Sequence, residues 1–157
     1  MEKSLEEYMS FLDRYAAFLE EMARAEKEKY RSLLSFDAGR LSESISELQS
    51  HLMQLDNMEA KRMELQRSAE FGEQTFKQML ASAPPEERGQ LEELFQRIQL
   101  AVCDVKFLNE KALTFARESL AAFNGESAVG ENNLYAPPSK GKAGRSAEGA
   151  AVFEAQY

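Results

Sequence analysis

Residues 85–123 read PEERGQLEELFQRIQLAVCDVKFLNEKALTFARESLAAF. Within them Leu91, Leu94, Ile98, Ala101, Val105, Leu108, Ala112 and Phe115 step by three and four without a fault. That spacing keeps all eight on one face of an α-helix. Phe95, Val102, Asn109, Ala116 and Phe123 form a flanking row at every seventh position. At about 1.5 Å per residue, such a helix is roughly 58 Å long. Pro85 suits a first helical position, and Glu86 and Glu87 face the positive end of the helix dipole.

Upstream, Ala83-Pro84 breaks the pattern, because a residue before proline is pushed out of helical geometry. A short helix is expected over about 73–81, carrying Phe76, Met79 and Leu80, with Gly72 ending the helix before it. That earlier helix starts after Ser35-Phe36-Asp37-Ala38-Gly39, with Asp37 as N-cap, and reaches about Glu70. Leu41, Ile45, Leu48, Leu52 and Leu55 make its stripe. The register slips near Asp56-Asn57, and Arg62 falls where an apolar residue is expected. The first helix covers about 3–34, with Leu5, Tyr8, Leu12, Tyr15, Leu19 and Met22 on one face. Met9, Phe11 and Phe18 widen that face beyond a two-stranded seam.

Three long helices of similar length joined by short connections predict an all-α fold. The expected form is an elongated antiparallel bundle with a short connecting helix. The bundle should occupy residues 1–123. From 124 to 157 the composition shifts: this stretch holds five of the eight glycines and two of the four prolines. A flexible tail is expected there, since it buries too little apolar surface to offset its ordering entropy. Leu134-Tyr135 and Ala150-Ala151-Val152-Phe153 are apolar islands within it.

Charge narrows the function. The formal net charge is −8, and acidic and basic residues alternate along the helices, as in Glu26-Lys27-Glu28-Lys29. No Lys/Arg patch suggests nucleic acid or anionic membrane as partner. No run approaches the roughly 20 apolar residues of a membrane span, and the first residues lack a signal-peptide profile. Cys103 is the lone cysteine, which suits a reducing compartment. The cytoplasm is the expected location.

Catalytic constellations do not emerge. The carboxylates lie in charged, surface-like stretches, where general acid/base chemistry has no dry pocket to work in. His51 is the only histidine, and Glu47 sits four residues before it rather than the three of a di-iron Glu-x-x-His element. Cys103 would need an adjacent base to act as a nucleophile. There is no Gly-rich phosphate loop, Cys-x-x-Cys or Gly-x-Ser-x-Gly. No cofactor, metal or enzymatic activity is expected. Adhesion remains: ten Phe and seven Met are many for 157 residues, and such side chains suit adaptable contact surfaces. Phe11, Phe18, Phe95, Phe107, Phe123 and Phe153 fit a simple core least well.

Leu33-Leu34, then Asp37, Leu41 and Glu59-Ala60-Lys61-Arg62 followed by Leu65, occur in a characteristic order. Asn109 precedes Ala112-Leu113, and Leu134-Tyr135 precedes Lys140-Gly141-Lys142. This order resembles the FlgN family of flagellar export chaperones over nearly the whole chain. The mid-helix lysine usual in that family is missing around Ser46 to Ser50, and the tail spacing is stretched. The resemblance implies a cytoplasmic chaperone of the flagellar type III export system. Its clients would be secreted hook–filament junction proteins, held by their C-terminal amphipathic helices, and it would meet the flagellar export gate. The residues expected to contact a partner are Asn109, Phe115, Ala116, Leu120, Phe123, Leu134, Tyr135, Val152 and Phe153. The expected state is a monomer or weak dimer. The competing reading is a structural coiled-coil adaptor that dimerises without a secreted client.

Overall fold

A computed structural model describes residues 2–124, all of whose regular structure is helical. The helices are α1 (Glu2–Leu34), α2 (Ala38–Ser68), α3 (Phe76–Ser82) and α4 (Pro85–Asn124). The chain divides into two units, Met1–Ala112 and Leu113–Tyr157, and α4 runs unbroken through the boundary. Among the described residues no helix is long and apolar enough to cross a membrane. Of the expected tail, Asn124 is the last residue of α4, and residues 125–157 lie outside the described ones.

Helix ends follow local chemistry. Asp37 caps α2, its side chain accepting from the Arg40 amide at 3.1 Å. Just before it, the Asp37 amide bonds Ser32 O and the Phe36 amide bonds Leu33 O, the paired pattern that closes a helix C-terminus around a left-handed residue. That residue is Phe36, at φ 54°. The same pattern ends α2: the Phe71 amide reaches Gln66 O and the Glu70 amide reaches Arg67 O, with Glu70 at φ 67°. Gly72 therefore does not mark the end of α2, as its residue type suggested. Glu70 takes the left-handed position, and burial of Phe71 just after it anchors the turn. α3 starts at Phe76, later than expected, because Thr75 and Gln78 form a reciprocal capping box. Ala83 is extended at ψ 149°, as a residue before proline must be.

In the first unit α1 is the most buried element. Leu5, Tyr8, Leu12, Tyr15, Leu19 and Met22 are all buried, together with Met9, Phe11 and Ala16. Each large apolar side chain so buried contributes about 1.5–3 kcal/mol. α1 and α2 run antiparallel in close contact. Tyr8 meets Gln66, Tyr15 meets Glu59, and Glu28 pairs with Arg40 near the hairpin tip. α1 and α4 run in the same direction: Arg97 binds Asp13 at 2.7 Å and also Glu20, and Lys29 donates to Asn109 at 3.0 Å. α3 closes one end, where the Phe76 and Phe95 rings stack at 3.9 Å.

Candidate functional site

The expected α4 face is present. Leu91, Leu94, Ile98, Ala101 and Ala112 are buried, while Val105 and Leu108 are half-buried. On the flanking row, Phe95 is buried, Val102 and Asn109 are half-buried, and Phe123 is 89% exposed. The row thus passes from core to surface along the helix. Phe11 and Phe95 belong to the core, contrary to expectation: Phe11 stacks on Tyr15 at 5.9 Å and Phe95 on Phe76. A second row, outside the expected stripe, is exposed on the first unit: Leu100 and Phe107, one heptad apart. On α2, Ile45, Leu52 and Met53 are exposed as well. Sequence periodicity counted Ile45 and Leu52 as core, because it cannot say how much of a stripe its neighbours reach.

Asn109 has an internal role. Its Oδ1 accepts from Lys29 Nζ, which also lies 2.8 Å from a carboxylate oxygen of the buried Glu26. Two residues on, Lys111 Nζ lies 5.5 Å from the Tyr30 ring centroid and 5.1 Å from that of Phe107. These contacts join α1 to α4 through a cation and two π faces. In the second unit, Phe115, Ala116 and Leu120 are half-buried, and Leu113 and Phe123 are exposed. Leu134, Tyr135, Val152 and Phe153 lie outside the described residues.

The least expected feature is polar. Arg62 is 1% exposed. Its Nε and one terminal nitrogen donate to the Glu59 carboxylate at 3.0 and 2.6 Å, and the other terminal nitrogen donates to Gln66 Oε1 at 2.7 Å. Gln66 Nε2 in turn donates to the carbonyls of Gly72 and Gln74, each at 3.0 Å. From α1, the Tyr15 hydroxyl donates to Glu59 at 2.8 Å and the Tyr8 hydroxyl lies 3.4 Å from Gln66 Oε1. The guanidinium also sits 5.6 Å from the Phe76 ring centroid. Glu59-Ala60-Lys61-Arg62 was legible as a motif, but not as a buried one. Nor do all carboxylates lie at the surface, since Glu26 is buried and Glu59 mostly so. Each has a cation against it, which offsets desolvation.

Electrostatics here serve structure. Burial pushes the Tyr8 phenol up to about 12, with the nearby Arg62 charge pulling the other way. The phenol therefore stays neutral and donates. The Arg97 guanidinium is raised above its ordinary value by hydrogen bonds to Glu20 and then Asp13. Among the described residues no group of three or more His, Cys, Asp or Glu could hold a metal ion. His51 is half-buried, edge-on to Phe18 at 5.5 Å, and Cys103 is exposed.

A family model described as "FlgN protein" matches residues 1–142. No curated protein and no solved structure matches the chain.

Proposed function

The chain belongs to the FlgN family, the flagellar type III export chaperones, and from that premise we propose a specific task for it. It binds the C-terminal helices of hook–filament junction proteins in the cytoplasm and delivers them to the flagellar export gate. In this reading residues 1–123 form a bundle of three long helices with α3 as connector, residues 124–157 are a tail, and the protein acts as a monomer or weak dimer without catalysis.

The observation that supports this best is the end of α4. Its last turns present Leu113 at 47% and Phe123 at 89% exposure, beside half-buried Phe115, Ala116 and Leu120. Apolar side chains repeating at three and four positions on one helix suit another amphipathic helix, which buries its own stripe against them. Phe115, Ala116, Leu120 and Phe123, with Leu134, Tyr135, Val152 and Phe153 beyond them, are assigned to the client contact. Asn109 is assigned to it as well, at the point where Lys29 ties α1 to α4. Ordering a tail over the client costs roughly 2–5 kcal/mol, which keeps capture reversible.

The test compares the full chain with a chain ending at Phe123, using a purified junction protein as probe. Binding by the full chain and none by the shortened one, with helicity nearly unchanged, supports the assignment. Equal affinity in both refutes it.

A further inference from the structure

α2 is uneven along its length. Its C-terminal half buries Arg62 and Gln66 and is tied through them to α1 and to the carbonyls of Gly72 and Gln74. Residues 38–55 bury only Ser44 and Leu48. There Ile45 is 41%, Leu52 45% and Met53 75% exposed. What holds this half is a small cluster of Met22, Ala25 and Leu48, with Leu55 and Val105 against it. It is joined by the surface Arg40–Glu28 pair and by the edge contact of His51 on Phe18, where His51 Nδ1 is buried with no hydrogen-bond partner. A surface ion pair adds little, and an unsatisfied buried nitrogen subtracts. Asp56-Asn57 lies between the two halves, exposed, and both residue types are poor helix formers.

We infer that α2 is a hinged helix: the Glu59–Arg62–Gln66 network clamps its C-terminal half, while residues 38–55 open locally from Met22, Ala25 and Val105. Register is not lost in the opening, because the clamp reaches both α1, through Tyr8 and Tyr15, and the α2–α3 connection. The opened state uncovers Leu48 and Leu55 and the α1 and α4 side chains they pack on. Local openings far cheaper than global unfolding are expected where few apolar groups are buried. The inference concerns the chain alone and does not depend on its client.

Amide hydrogen exchange on the full chain tests it. Amides of 41–55 should exchange at least about a hundredfold faster than those of 58–68 after correction for intrinsic rates. Equal protection along α2 overturns the hinge. Tyr15→Phe removes one hydroxyl from the clamp and leaves the ring. It should speed exchange in 58–68 by roughly three- to tenfold and leave 41–55 unchanged. A matching rise in both halves shows one cooperative helix and overturns the proposal.

Discussion

Replacing Arg62 with alanine is the most informative single perturbation of the first unit. The side chain is 1% exposed and makes three short hydrogen bonds, at 3.0, 2.7 and 2.6 Å. Without it the Glu59 carboxylate, 17% exposed, keeps only the Tyr15 hydroxyl within the network. Breaking a buried ion pair by removing one partner costs about 3–5 kcal/mol, and the void beside Phe76 adds a cavity penalty. Urea unfolding followed by far-UV circular dichroism should show a loss in that range with an unchanged slope. The melting temperature should fall by roughly 10–20 °C. The Glu59→Met, Arg62→Met double variant is the control. It removes both charges and their desolvation cost together, so it should recover at least half of the loss. A cost for Arg62→Ala below about 1 kcal/mol, or a double variant no better than the single one, refutes the view that this pair is a buried, mutually dependent unit.

Tyr8 makes stability fall at alkaline pH. A phenol raised from 10.0 to about 12 on folding stabilises fully below pH 10, and that contribution disappears as pH rises towards 12. About 2–3 kcal/mol is at stake, so urea midpoints between pH 9 and 11.5 should fall less steeply in Tyr8→Phe than in the unaltered chain. Thr75→Ala removes the capping box of α3 and should cost about 1 kcal/mol in the same denaturation assay. Asn109→Ala should cost about 1 kcal/mol by losing the Lys29 bond. Asn109→Asp, which still accepts from Lys29, should stay within about 0.5 kcal/mol of the unaltered chain by thermal melting.

Periodicity located the four helices within a few residues, and residue chemistry marked Asp37 as a cap and Pro85 as a first turn. Those are local properties, set by backbone sterics and by hydrogen bonds a few residues long. The resemblance to FlgN was legible in Leu33-Leu34, Asp37 and Glu59-Ala60-Lys61-Arg62, and the family match over residues 1–142 bears it out. Gly72 misled because a left-handed helix terminus needs only that one residue bear the strain, and Glu70 bears it.

What sequence determined by itself was helicity, the wide apolar face of α1 and the change of composition at residue 124. What only tertiary structure decided was which apolar rows find neighbours: Phe95 is covered by Phe76, while Ile45, Leu52 and Phe107 remain exposed. It also decided that Arg62, an apparent defect in the stripe, is the largest fully buried side chain among the described residues. A helical repeat records which side chains share a face, but burial depends on distant helices arriving there. Arg62 finds its carboxylate and amide on its own helix, in Glu59 and Gln66, and its burial waits on α1, whose Tyr8 and Tyr15 close over that network.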